Sequence, residues 1–362
     1  DRLIDAFEAL SGGVGWKLLD EALANGPAAL ADAPPELDAL LTPILEPPAW
    51  VDFELADSGA VAWWRAGALT QLVALVSGSL AFGYQSAGFA RPLAATGRLT
   101  QMAPRRLAET ARWVVVATRP GAMRPGGDGI AATVRLRLVH TLVRSHLRRS
   151  GEWNAAEWGE PISIGDTIAV GIGGFFIVPL RALRDLGVRY TPAELDAIFH
   201  LWRWICFVLG VPDRYLPASY AESEELMEVA FALDGGPNDD SAKLVHALLF
   251  RGLAYERFLP RPLAAVARTA TGHAFGGLAR RWMGREMADR LDVPHTPLVH
   301  LPLLLRPLHR ARDAARATGL LGSEERIADF ELALVQRAME LVRAAPAAIQ
   351  PEAVQHEPAL AA

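Results

Sequence analysis

Along most of the chain apolar residues recur every three or four positions, and the strict alternation of a half-buried strand is almost absent. That spacing predicts an all-α protein, and the abundance of Ala, Leu and Arg agrees with it. The pattern is interrupted at "ADAPPELD", "LEPPAWVD", "RPGAMRPGGDG", "LGVPDRYLP", "ALDGGPNDD" and "LDVPHTP". Each is rich in Pro, Gly or Asp, so each reads as a loop between helices. Two helix starts are explicit. Pro104 falls in the first turn before "RRLAETARWVVVA", and "YTPAELDAIFHLWRWICFVLG" opens with Thr191 as cap, Pro192 at the first helical position and Glu194 at the third. The second of these helices should stop at Gly210.

No repeat of fixed period divides the chain. The simplest organisation is a single helical domain over residues 1–345, followed by a loose, flexible tail over 346–362, where large apolar groups are scarce. The stretch Ala66–Ala90 carries no charge and is long enough to cross a bilayer. Its Gln, Ser and Gly residues lower its hydropathy, and a buried core helix is the better reading than a membrane span.

Composition then narrows the function classes. With 51% hydrophobic and 21% charged residues, the 362-residue chain can bury a large core. A net charge of -5 with dispersed Arg residues argues against nucleic acid as a partner. Cys206 is the one cysteine, which excludes an intrachain disulfide and a Cys-rich zinc or iron–sulfur centre. Without C-x-x-C-H, any haem would be held non-covalently. The chain opens on no basic and apolar leader, so a cytoplasmic location is expected, although it begins at Asp1 and may be a trimmed sequence.

Most catalytic motifs are missing. There is no H-E-x-x-H, and no His has a Glu three positions before it, which removes the helix-borne zinc and di-iron patterns. "GYQSAGF" around Ser86 lacks the first Gly of a nucleophile elbow and reads as a small-residue packing point. "GIGGF" at Gly171–Phe175 lacks the full dinucleotide fingerprint and reads as a close-packing or bend segment. Glu152, Glu157 and Glu160, beside Trp153 and Trp158, read as a solvated loop anchored by two indoles. His200, among aromatic residues, reads as a core histidine bonded to a neighbouring carbonyl, with iron ligation as its alternative.

The richest constellation joins two helices. Arg106, Glu109, Thr110 and Trp113 are spaced to share one helix face: a cation, a carboxylate and a hydroxyl beside an aromatic wall. On the next helix His140 lies on a stripe with Leu136, Val143 and Leu147, flanked by Arg137 and Arg144. An apolar slot with one neutral imidazole and guanidiniums at its edge suits a b-type haem, whose propionates arginines can neutralise. Spacing alone is equally met by a hydrogen-bonded core histidine, which is the simpler reading.

Arg106-Leu107-Ala108-Glu109-Thr110, "VRLRLVHTLVR" around His140 and the "HLWRW" helix resemble the core of the latex clearing protein (rubber oxygenase) and MpaB-type oxygenase family. The resemblance covers about Trp63 to Leu216. It implies a single large, globin-like helical domain enclosing one b-type haem, and an enzyme that turns O2 or a peroxide on an apolar, unsaturated compound. It further implies His140 as the proximal iron ligand, with Arg106 and Thr110 on the distal side, Glu109 desolvated next to them as an acid or base, and Arg137, Arg144 and Trp113 lining the cofactor. One departure stands out: rubber-cleaving members carry Lys immediately before the Thr, where this chain has Glu109. Carboxylate for amine reverses the charge beside bound oxygen and weakens the case for polyisoprene. Two rivals share the same residues: a haem-binding gas or redox sensor without turnover, and an interaction protein whose site has decayed.

Overall fold

The computed structural model describes residues 14–30, 33–95, 103–233 and 236–344. Among them the regular structure is entirely helical, with no strand. The expected tail over 346–362 lies outside the described residues. The longer helices are α1 (Val14–Asn25), α2 (Pro35–Leu45), α3 (Phe53–Trp64), α4 (Ala68–Gly83), α5 (Ala87–Ala95), α6 (Ala103–Ala117), α7 (Asp128–Arg149), α8 (Ile164–Asp185), α9 (Pro192–Val208), α10 (Tyr220–Leu233), α11 (Asp239–Arg251), α12 (Arg261–Met283), α13 (Leu301–Ala317) and α14 (Glu324–Ala344).

The start signals operate as the sequence predicts. Thr191 Oγ1 accepts from the Glu194 N–H and the Glu194 carboxylate accepts from the Thr191 N–H, a closed capping box with Pro192 inside it. Gly210 follows the end of α9 at φ 103°, a backbone setting that L side chains resist. Asp52 caps α3 by accepting from the Glu54 and Leu55 N–H groups, each at 3.0 Å.

The uncharged stretch is two helices instead of one. α4 ends at Gly83, a turn carries Tyr84 and Gln85, and fully buried Ser86 caps α5 by accepting from the Phe89 N–H at 3.1 Å. Sequence spacing hid this break because Ser86 is small and uncharged, and its capping role depends on one local hydrogen bond. Within α4, Ala74–Leu80 is wound as a π-helix, and α8 contains a second π segment at Ala169–Ile177. Such widened turns concentrate at functional sites. The two segments pack on each other in the core. α8 is also the described helix apolar enough to cross a membrane, yet 78% of its most apolar window is buried within the protein, as a core helix requires. The "GIGGF" expectation holds: a Cβ on Gly173 would lie 2.7 Å from Met227 of α10.

α3 and α9 cross where Gly59 meets the Ala197 carbonyl, so closely that a Cβ there would stand 2.2 Å from the oxygen. The ends of this pair are tied to α13 and α14 by an ionic cluster. Buried Arg65 donates to Glu194 Oε1 at 2.7 Å and to the Arg189 carbonyl at 2.8 Å, and lies over the Tyr190 ring. Arg316 joins Glu194, Asp313 and Glu324 around it. Every charge in the cluster has a counter-charge, which a buried ion network needs in order not to destabilise.

Candidate functional site: the α6–α7 hairpin

The loop between α6 and α7 is held from three sides. Trp64 Nε1 donates to the Thr118 carbonyl and hydroxyl at 3.1 and 3.0 Å, Trp204 Nε1 donates to the Met123 carbonyl at 2.9 Å, and Asp57 accepts from the Gly121 N–H and from Arg124. Pinning this loop fixes how α6 and α7 lie side by side. Their register is then set by Trp113, whose Nε1 donates to Thr133 Oγ1 at 3.2 Å. Because the helices are antiparallel, seven residues back from Trp113 and seven forward from Thr133 lead to the same level, about 10 Å further along the hairpin. Those residues are Arg106 and His140. Seven residues are nearly two full turns, so each stays on the facing side within about 20°.

The two ends of the hairpin differ in polarity. At the Trp113 end the interior is closed by Phe175 and Trp202, with ring centroids 5.6 and 6.3 Å from the Trp113 indole. At the other end stand Arg106 and Thr110, both half-buried, and His140 with Leu136 and Val143, also half-buried. Glu109 leaves this group. Its side chain is 61% exposed and accepts from Arg105 Nε at 2.7 Å, one turn away on the same helix. The expectation of a desolvated Glu109 is therefore corrected: an i,i+4 partner draws the carboxylate onto the solvent side.

His140 makes no hydrogen bond to any described residue. Burial, with the nearby Arg144 charge acting in the same direction, pushes its pKa down to about 4, so the imidazole is neutral at ordinary pH. A basic ring nitrogen kept neutral and unpartnered inside a protein is available as a metal ligand. Arg144 is occupied: it donates to the Pro161 and Ile162 carbonyls at 3.1 and 2.5 Å, with Glu160 at 3.8 Å. Arg137 is not. Its guanidinium has no hydrogen bond or ion pair with a described residue, and burial and Arg144 lower its pKa to about 10. Its guanidinium lies against Gly210, where a Cβ would come within 2.6 Å of Nε. A guanidinium one turn from the imidazole and without a counter-ion suits an anionic group of a bound cofactor.

His200 contrasts with it. Its Nε2 accepts the Asp52 N–H at 2.8 Å, and Trp50 meets it edge-on at 5.9 Å. It is a bonded core histidine, as expected, but its partner is an amide N–H instead of a carbonyl. Trp153 and Trp158 stack edge-to-face at 5.3 Å and Glu160 pairs with Arg148, so the "EWNAAEWGE" segment is the anchored surface loop expected. Among the described residues no group of three or more His, Cys, Asp or Glu side chains gathers as a protein-only metal centre would need. One imidazole, one unpaired guanidinium and an apolar wall instead fit a haem, which brings four of its own nitrogen ligands.

Sequence reasoning passed over Tyr84 and Gln85, both buried at the turn before α5. The available signal was a Tyr-Gln pair at the break of an uncharged stretch.

Known proteins bear on this geometry in three ways. The family described as ER-bound oxygenase mpaB/B'/Rubber oxygenase, catalytic domain, matches residues 63–320, a longer span than the Trp63–Leu216 core. A rubber oxygenase of Streptomyces sp. (strain K30) is 27% identical over 199 residues, 54% of this chain and 45% of that protein, so the match spans less than half of the relative's length. The closed-state structure of the latex clearing protein superposes with a TM-score of 0.59 at 23% identity, covering 94% of this chain and 86% of the other, which establishes a common fold. The family model spans most of this sequence, and the chain belongs to the MpaB and rubber oxygenase catalytic-domain family.

Proposed function

We propose that the protein is a haem b-dependent oxygenase acting with O2 or a peroxide on an apolar, unsaturated substrate, with His140 as the residue that would hold the iron. The observation that carries this reading is the unbonded, neutral imidazole of His140 beside the unpaired guanidinium of Arg137. Bound haem would supply the iron at which oxygen is activated. α7 presents His140 from a helix whose leading loop is pinned by Trp64 and Trp204. Arg137 would hold a propionate, with Arg144, bonded to the Pro161 and Ile162 carbonyls, adding positive charge at the same edge. From α6, Arg106 would supply hydrogen-bond donors on the opposite side of the slot from His140, and Thr110 would add a hydroxyl beside it. Trp113 closes the apolar end and excludes water. Glu109, turned to solvent with Arg105, is left out of the reacting set.

A relative named as a rubber oxygenase supports an apolar, polyisoprene-like substrate class. The decisive experiment is the absorption spectrum of the purified protein, with added haemin if needed, for wild type and His140→Ala. A Soret band near one haem per chain that His140→Ala loses is the expected result. Wild-type protein that neither carries nor takes up haem would sink the reading. Consumption of O2 with an unsaturated hydrocarbon then separates an enzyme from a sensor.

A further inference from the structure

The turn between α4 and α5 places two polar side chains where apolar ones would be expected. Tyr84 is 7% exposed and Gln85 8%. Neither makes a side-chain hydrogen bond to a described residue, so the polar ends of both are left open to a bound partner or solvent. The Tyr84 ring is held: it stacks on Phe89 with centroids 5.4 Å apart and planes at 22°, and Phe89 in turn packs against Gly83, where a Cβ would lie 3.3 Å from the ring. Phe89 belongs to α5, which packs on α7, the helix of His140, and on α11, which also supports α6. Tyr84 thus stands at the corner where the hairpin meets the π-wound α4. It lies close enough to Arg106 for the guanidinium to act on its phenol. That charge opposes burial, which pushes the phenol up to about 12 and keeps it a protonated donor.

We propose that Tyr84 is the second hydrogen-bond donor on the oxygen side of this pocket, acting with Arg106 on a small oxygen-bearing or anionic ligand, and positioned by the Phe89 stack. This rests on the haem reading above. The Tyr84 hydroxyl has no hydrogen-bond partner among the described residues, so its O–H is free to donate to such a ligand. Arg106 supplies charge and Tyr84 supplies direction, since a phenol on a stacked ring has one O–H and little freedom.

The test uses haemin-loaded protein and azide as the probe anion, comparing wild type, Tyr84→Phe, Arg106→Leu and the double variant. Tyr84→Phe keeps the ring and its stack, so the fold is retained and only the donor is lost. Azide affinity of the ferric protein should fall about tenfold in Tyr84→Phe, the worth of one hydrogen bond to a charged acceptor. The losses in the double variant should multiply to less than the product of the single ones, because both groups hold one ligand. The C–O stretch of the ferrous carbonyl complex should rise in Tyr84→Phe as donation is removed. Unchanged azide affinity and C–O stretch in Tyr84→Phe overturn the proposal and leave the haem reading standing, and fully multiplicative losses overturn the pairing with Arg106. A wild-type protein that takes up no haemin overturns both.

Discussion

His140 on α7 and His200 on α9 occupy similar places in the sequence, each one imidazole among leucines and aromatic residues, yet they end in opposite states. His200 accepts the Asp52 N–H and thereby closes the chain entry to α3, 148 residues earlier. His140 has no partner among the described residues and is kept neutral by burial and by Arg144. A bonded histidine contributes to folding, whereas the unbonded, half-buried His140 is free for another partner. The comparison also separates their cations. Arg203 beside His200 rests on the Trp50 ring at 4.2 Å, while Arg137 beside His140 has no counter-charge.

Exchanging the two histidines should break the comparison most visibly. His140→Ala should abolish haem uptake while leaving apoprotein stability within about 1 kcal/mol of wild type, since no hydrogen bond is lost. His200→Ala should retain haem and lose about 2 kcal/mol in urea unfolding, because it opens a cavity and orphans the Asp52 N–H. The reverse pattern would transfer the ligand role to His200.

Gly210→Ala should act on the His140 region alone. Its Cβ would displace Arg137, and φ 103° adds strain of about 1–3 kcal/mol. Haemin titration should show weakened binding, with the Asp52–His200 end unaffected by hydrogen exchange at Asp52. Arg137→Leu sharpens the same point with two signs. In the apoprotein it should be neutral or stabilising, since it removes an unpaired, half-buried cation, whereas haem affinity should fall about tenfold.

A further effect is in pH dependence. The folded-state pKa of His140, about 4, lies below the ordinary value of 6.5, so the unfolded chain binds the proton more readily between these values. Unfolding free energy should therefore fall as pH drops from 6.5 to 4, and less steeply in His140→Leu. His200 is shifted in the same direction, chiefly by burial, and its own variant should flatten a smaller share. Equal slopes in wild type and His140→Leu would mean that the imidazole is not desolvated as described.

Much of the site was legible along the chain. Arg106, Thr110 and Trp113 share a face because of their helical spacing, and His140 falls on the stripe read from Leu136, Val143 and Leu147. The fate of Glu109 was not legible. It shares nearly the same face, but Arg105 one turn earlier competes for it, and the outcome depends on which side of α6 meets solvent. Tyr84 was missed because its significance lies in its distance from Arg106, which no local pattern encodes.

Periodicity, caps and breakers suffice for the helices, since each follows from interactions within a few residues: Thr191 with Glu194, and Gly210 after α9. The motif residues likewise carry family membership without coordinates. Which histidine is free, which arginine is unpaired and which carboxylate turns outward were decided only by the packed molecule. Those are questions of partner and solvent, answered by groups such as the Asp52 amide and the Thr133 hydroxyl, brought in from other elements when the chain folds.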